Sequence, residues 1–243
     1  MRIIKLSATD STNSYLRKLS ANETVDDYTA IVTGKQTAGR GQMGTVWSSQ
    51  SSKNLTFSVF KDMSEFQFEH PFYISIVTAL AVLKTLQFSS ISRLTVKWPN
   101  DILSVDKKIC GILIENVIKQ NKINASIIGI GLNVYQTEFE NLPKASSLNI
   151  LSGQVYDLDE LAITILNNLK DYFSLLKDGK YDVLKAEYET RLFRKNKPST
   201  FKDAEGLMFS GFIKGISDSG NLQILLEDNI IKSFDLKEIS LLY

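Results

Sequence analysis

Four closely spaced apolar runs between residues 94 and 134 place the strongest constraint on the fold of this 243-residue chain. Their alternating or β-branched composition is typical of strands, and only short polar turns separate them. The runs are Leu94–Trp98, Asp101–Val105, Ile109–Ile118 and Ala125–Val134. Turns this short connect antiparallel neighbours, whereas parallel strands need long crossover connections. We therefore predict an antiparallel or mixed sheet rather than repeated βαβ units.

Helices and further strands on either side of these runs predict an α+β fold. The other expected strands of the large sheet are Arg2–Ser7, Tyr28–Thr33 and Leu55–Phe60. The expected helices are Ser14–Leu19, Phe72–Phe88, residues 158–176 and Tyr181–Leu192. Phe72–Phe88 is apolar on nearly every side, which indicates a helix buried on most of its surface. Asp157 and Glu160 frame the start of the third helix with the spacing of a capping box.

The C-terminal part of the chain has a different character, because short strands and turns replace the helices. The expected strands are Phe209–Ile216, Leu222–Leu226 and Ile230–Leu236. Polar turn residues stand between them. This pattern predicts a small all-β module, a barrel, over residues 195–243 and a larger domain over residues 1–194.

Composition excludes several classes of site and partner. The net charge of +1 gives no broad field that would attract DNA or RNA. The single Cys110 leaves no disulfide framework, and the single His70 excludes sites that need two histidines. No secretory or membrane-spanning segment is apparent, so we expect a cytoplasmic protein. Cys110 alternates with apolar residues, which indicates a buried structural thiol.

The segment Gly39–Gly44 matches three patterns at once. Its sequence, Gly-Arg-Gly-Gln-Met-Gly, fits a dinucleotide fingerprint, but that motif must open a helix and residues 45–54 lack helical periodicity. With Thr45 and Val46 it also fits a kinase glycine loop, but the required H-R-D and D-F-G motifs are absent. The remaining interpretations are a plain flexible loop or a functional lid over residues 34–54.

Five segments, taken in chain order, carry a resemblance to a known family. They are Asp10–Asn13, Gln36–Gly41, Val96–Asp101, Lys107–Glu115 and Ile128–Val134. K-W-P-N-D and K-I-x-G-I-L-x-E are specific when they occur together. The chain resembles biotin protein ligases over nearly its whole length.

The resemblance implies a fold, a reaction and partners. The fold would be like the catalytic domain of class II aminoacyl-tRNA synthetases, followed by an SH3-like barrel. In the first step biotin would react with ATP, in the presence of Mg²⁺, to give biotinyl-5′-AMP and pyrophosphate. In the second step biotin would pass to a lysine of a carrier domain. That domain would belong to acetyl-CoA carboxylase or a related carboxylase. A homodimer is compatible with the family, whereas DNA and membrane partners are not expected.

The resemblance also implies the site residues. Neutral polar groups of Ser11, Thr12, Asn13 and Gln36 complement the ureido ring of biotin, although Ser11–Asn13 taken alone would sooner indicate a simple helix cap. The implied biotin-binding set is Ser11, Thr12, Asn13, Gln36, Arg40, Gly41, Gln42, Trp47, Lys108, Gly111 and Gly129. The implied ATP-binding set is Arg40, Lys97, Asn100, Asp101, Gly131 and Asn133. The implied catalytic set is Arg40, Lys97, Asp101 and Lys108, with Asp101 as the magnesium ligand.

Alternatives remain open at this point. A lipoate ligase or octanoyl transferase of the same fold would share the lysine strand, although the R-R-x-S-G-G pattern is missing. A non-catalytic biotin-binding protein would keep the pocket. A repressor would need a winged helix before the strand at Arg2, which we do not expect. Many relatives carry a basic residue where this chain has Gln42, so we expect faster release of the adenylate.

Overall fold

A seven-stranded mixed sheet forms the centre of the protein, whose computed structural model describes residues 2–66, 70–87 and 89–243. The strands are β1 (Ile3–Leu6), β2 (Ala30–Thr33), β3 (Asn54–Asp62), β4 (Leu94–Lys97), β5 (Asp101–Ser104), β6 (Lys107–Lys119) and β7 (Lys122–Asn133). Their order in the sheet is β1-β2-β3-β7-β6-β5-β4. β1 and β2 pair in parallel and the other neighbours pair antiparallel. The predicted mixed, largely antiparallel sheet is confirmed.

The hairpin of β6 and β7 is the longest pairing in this sheet. Its strands have 13 and 12 residues, and the turn between them consists of Gln120 and Asn121. Both turn residues have left-handed φ values, 50° and 58°, as a type I′ turn requires. Such a turn matches the natural twist of the strands, which lets the ladder continue to the middle of the sheet.

Helices pack on both faces of the sheet. They are α1 (Thr12–Asn22), α2 (Phe72–Leu86), α3 (Leu148–Ser152), α4 (Leu158–Lys177) and α5 (Tyr181–Thr190). Leu16 of α1 packs with Ile31 and Ile127 on one face, and α2 and α4 bury the larger core on the other. In α2, 12 of the 15 residues are buried, which confirms the apolar helix. Its expected end at Phe88 lies outside the described residues. Asp157 caps α4 by accepting from the backbone N–H of Asp159 and Glu160.

The C-terminal residues form a separate five-stranded antiparallel sheet. Its strands are β8 (Pro198–Asp203), β9 (Met208–Ile216), β10 (Leu222–Leu225), β11 (Ile231–Phe234) and β12 (Ile239–Leu242). Their order is β11-β10-β9-β8-β12, with antiparallel pairing throughout. The all-β character is confirmed. Among the described pairings no ladder joins β11 to β12, so closure into an SH3-like barrel stays a prediction.

Specific contacts fix the small sheet against the rest of the protein near the end of β4. Trp98, which follows β4, donates its indole N–H to the carbonyl oxygen of Gly220 at 2.8 Å. Glu189 at the end of α5 accepts from the backbone N–H of Ile216 at 3.0 Å. The small sheet therefore sits beside the polar residues that follow β4.

No helix among residues 2–66, 70–87 and 89–243 combines the length and the apolar character that crossing a bilayer would require.

The reactivity of the Cys110 thiol tests the packing of the central sheet. It is fully buried, and this burial raises the pKa of its thiol. We expect no reaction of the folded protein with a chromogenic disulfide reagent at neutral pH, and one equivalent of reaction after denaturation. Stoichiometric labelling of protein that keeps its far-ultraviolet circular dichroism spectrum would contradict the described packing.

Candidate active site

A cavity of about 270 Å³ lies between the middle of the large sheet, the start of α1 and the loop 34–54. All eleven residues of the implied biotin-binding set line it. Of the implied ATP-binding set, Arg40, Asn100, Asp101 and Gly131 line it, whereas Lys97 and Asn133 do not. The structure therefore brings the predicted residues together, and their binding roles stay predictions.

The start of α1 forms the polar end of the cavity. Ser11 is the N-cap residue, and its hydroxyl accepts from the backbone N–H of Ser14. Gln36 Oε1 accepts from the backbone N–H of Thr12 at 2.8 Å. The hydroxyl of Ser58 lies 2.6 Å from Asn13 Oδ1 and 2.7 Å from Thr12 Oγ1. Ser58 was not predicted, because only the alternation of β3 indicates which way it points.

Glu115 links the start of α1 to the glycine-rich loop. Its Oε2 accepts from Asn13 Nδ2 at 2.7 Å and from the guanidinium of Arg40 at 2.9 Å. The Arg40 side chain is 46% exposed, so this ion pair is worth at most about 1 kcal/mol. Arg40 can therefore leave Glu115 for a ligand at small cost. The sequence motif contained Glu115 but gave no sign of these two contacts.

Two glycines of β7 make room for side chains that line the cavity. A Cβ on Gly129 would lie 2.4 Å from Asn13 Oδ1, and one on Gly131 would lie 2.4 Å from the indole of Trp47. Both distances are far shorter than a carbon atom tolerates. The indole N–H of Trp47 is buried without a partner among the described residues. The position of the Trp47 ring therefore requires a residue without a side chain at Gly131.

The opposite end of the cavity is cationic. Lys108 Nζ lies 2.7 Å from Asp101 Oδ1, and Lys97 Nζ lies 4.0 Å from Asp101 Oδ2. Burial lowers the pKa of Lys97. Asp101 opposes this effect, and the positive charges of Lys108 and Lys144 add to it. One carboxylate thus stands among several lysines, which leaves an excess of positive charge.

The two asparagines predicted to recognise adenine each donate one hydrogen bond from the side-chain amide within the fold. Asn100 Nδ2 donates to the carbonyl oxygen of Ile112 at 2.8 Å. Asn133 is buried, and its Nδ2 donates to the carbonyl oxygen of Ser146 at 3.0 Å. Through these bonds both residues hold backbone segments in place.

The loop that contains Gly39–Gly44 folds back on itself above the cavity. Trp47 N–H donates to the Gly39 carbonyl at 3.0 Å, and a short 3₁₀ turn spans Gln42–Gly44. Met43 has a φ of 53° and is 63% exposed. The next regular element is β3, so no helix follows the glycines and the dinucleotide interpretation is excluded.

Comparison with known proteins places this chain in a family. A family profile described as the Biotin/lipoate A/B protein ligase family matches residues 6–133. The Bifunctional ligase/repressor BirA of Bacillus spizizenii is 28% identical over 223 residues, which cover 88% of this chain and 66% of that protein. The Biotin--[acetyl-CoA-carboxylase] ligase of Mycobacterium tuberculosis is 28% identical over 217 residues, 88% of this chain and 79% of that protein.

A solved structure agrees with the described fold. The biotin protein ligase of Aquifex aeolicus in complex with biotin and ATP superposes with a TM-score of 0.83 and 28% identity, covering 99% of this chain and 98% of that one. The chain spans about two thirds of the length of the Bacillus spizizenii relative. The family profile covers more than half of the chain, and the chain therefore belongs to the biotin/lipoate A/B protein ligase family.

Proposed function

We propose that this protein is a biotin protein ligase that acts through a biotinyl-adenylate. The observation that carries the proposal is one continuous cavity with neutral hydrogen-bonding groups at one end and Lys108 with Asp101 at the other. Biotin has the matching shape, with a ureido ring at one end and a carboxylate at the other. The Mycobacterium tuberculosis relative is named for this reaction, and the Aquifex aeolicus structure holds biotin and ATP.

Biotin would lie along the cavity with its ureido ring at the start of α1. Ser11, Thr12, Asn13 and Gln36 offer hydroxyl and amide groups there without a net charge. The indole of Trp47 and the strand residue Leu113 provide apolar walls for the middle of the ligand. The carboxylate then reaches Lys108.

The first step brings two anions together, so charge stabilisation dominates it. A carboxylate oxygen of biotin bonds to the α-phosphorus of ATP, while the bond to the bridging oxygen breaks and pyrophosphate leaves. Lys97, Lys108 and Arg40 would stabilise the charge that develops on the phosphate oxygens. In the second step a lysine amine attacks the carbonyl carbon, AMP leaves, and a proton is lost. No protein nucleophile is needed, and buried Cys110 is not placed to act as one.

Magnesium fits this site as an ion that arrives with ATP. Among the described residues no group of three acidic, histidine or cysteine side chains could hold a metal. Asp101 offers one carboxylate, and Mg²⁺ commonly takes one or two carboxylates together with phosphate oxygens. Asp101 would hold the ion after giving up its contact with Lys108, and the ion would supply neutralisation of phosphate charge.

The acceptor that we propose is the carrier domain of acetyl-CoA carboxylase or a related carboxylase, as the names of relatives indicate. The cavity belongs to a catalytic unit over residues 1–194, with residues 195–243 as a smaller unit beside it.

Lys108→Ala tests the proposed function directly. We expect biotin-dependent exchange of pyrophosphate into ATP, and biotinylation of a carrier domain, to fall at least about 100-fold, because a transition-state charge partner is lost. Lys119→Ala, at the exposed far end of β6, is the matched control and should keep wild-type rates. Full activity of Lys108→Ala would contradict the site assignment. Exchange driven by lipoate but not biotin would favour a lipoate ligase.

Gly131→Ala tests the contact between β7 and Trp47. The new methyl group collides with the indole, so biotin binding measured by calorimetry should weaken by about tenfold or more. In a Trp47→Ala background the same substitution meets no ring. It should then change the affinity much less, as a double-mutant cycle would reveal. Equal losses in both backgrounds would refute a steric effect through Trp47.

Gln42→Arg tests the hypothesis that the neutral loop releases the adenylate quickly. Arginine would add a cation beside the cavity, where it can pair with the phosphate. The dissociation rate of biotinyl-AMP, followed by chasing with unlabelled ligand, should therefore fall. Gln42→Met keeps the length without the charge and serves as the control. An unchanged dissociation rate of biotinyl-AMP in Gln42→Arg would contradict the hypothesis.

A further inference from the structure

A lysine that no sequence motif indicated stands beside the cationic end of the cavity. Lys144 lies on the segment between β7 and α3, and this segment runs next to Lys108. The backbone N–H of Lys108 donates to the Lys144 carbonyl at 2.6 Å, and the N–H of Ser146 donates to the Lys108 carbonyl at 3.0 Å. These bonds form a short parallel bridge, which fixes Lys144 relative to Lys108.

Tyr243, which follows β12 of the small sheet, lies close to two of the lysines. Lys144 Nζ is 3.9 Å from the centroid of its ring, and Lys97 Nζ is 5.3 Å away. The ring packs edge-on against Phe193, with centroids 5.1 Å apart. Burial, aided by the charges of Asp101 and Asp106, raises the pKa of Tyr243, so the phenol stays neutral. An aromatic face can hold ammonium groups without neutralising them.

The charges of this cluster do not balance. Lys97 and Lys108 share the carboxylate of Asp101. In the described part of the chain, Lys144 contacts the Tyr243 ring and has no carboxylate within 4.0 Å. The effect of Lys144 on the pKa of Lys97 places the two positive charges within electrostatic reach of each other. A ligand with several negative charges would relieve this repulsion.

We propose that Lys144 is a further cation of the polyphosphate site for ATP, beside Lys97, Lys108 and Arg40, and that Tyr243 positions it from the small sheet. This inference rests on the proposed function, because the pyrophosphate leaving group carries several negative charges and Lys144 is a cation that no carboxylate among the described residues pairs with. Lys144 would bind the β- and γ-phosphates, while Tyr243 keeps the ammonium groups aimed at the site before the ligand arrives. The small sheet thus contributes to nucleotide binding.

Lys144→Ala should raise the KM for ATP and the dissociation constant of inorganic pyrophosphate by about tenfold each, as expected for one lost charge contact. The KM for biotin should not move. Lys144→Arg should restore much of the loss. The matched control is Lys232→Ala, which removes a lysine 4.8 Å from the ring of Phe234 in the small sheet and should leave all three constants unchanged.

Tyr243 needs a separate pair of variants, because its role is to position lysines. Tyr243→Leu should raise the KM for ATP without changing the KM for biotin. Tyr243→Phe keeps the ring face and should raise the KM for ATP less than Tyr243→Leu does. Thermal melts followed by circular dichroism establish that each variant is folded. If Tyr243→Leu and Tyr243→Phe raise the KM equally, the ring has no positioning role.

Calorimetric titration with pyrophosphate in the presence of biotin separates this inference from the proposed function, because it needs no turnover. If the wild type binds pyrophosphate and Lys144→Ala weakens that binding, the result supports the polyphosphate site. An absence of biotin-dependent exchange would refute the ligase activity but not this site. Unchanged pyrophosphate binding in Lys144→Ala, or no binding by the wild type, overturns the role of Lys144.

Discussion

The pairing of β6 with β7 is the interaction on which the candidate site depends. Its register sets Gly111 opposite Gly131, and Leu113 opposite Gly129. Because side chains alternate between the faces of a sheet, a slip by one residue would turn every lining residue away from the cavity. The ladder also pairs β7 with β3, which carries Ser58. The floor of the cavity is therefore a property of strand register, and the surrounding helix and loop add its walls.

Two walls of the cavity are joined through a single carboxylate oxygen. Glu115 accepts from Asn13 at the start of α1 and from Arg40 on the loop. A change in the position of Arg40 therefore alters one of the two donors that hold Glu115, and through it the amide of Asn13. Binding at the loop and binding at the helix start need not be independent events. The coupling passes through β6, which pairs with β5 on one side and with β7 on the other.

Local chemistry decided which parts of the structure could be predicted from sequence. Alternation and turn residues revealed the β6–β7 hairpin, and apolar character on all sides revealed α2. The strand β8 was missed because it begins at Pro198 and contains few β-branched residues, and the five-residue α3 is too short to show a period. Ser58, Lys144 and Tyr243 could not be placed, because their neighbours are distant in sequence and depend on how the sheets pack. The motifs located the cavity, but long-range contacts determine its charge.

Trp47 has a consequence for how the protein can be observed. The chain contains two tryptophans, and they lie in contrasting surroundings. The indole of Trp98 is hydrogen-bonded to Gly220 where the two sheets meet. The indole of Trp47 lines the cavity, and its N–H has no partner among the described residues. A molecule that fills the cavity changes the polarity around Trp47 and leaves that around Trp98 unaltered. The fluorescence of the protein itself thus reports on occupancy of the cavity, with no attached dye and no turnover.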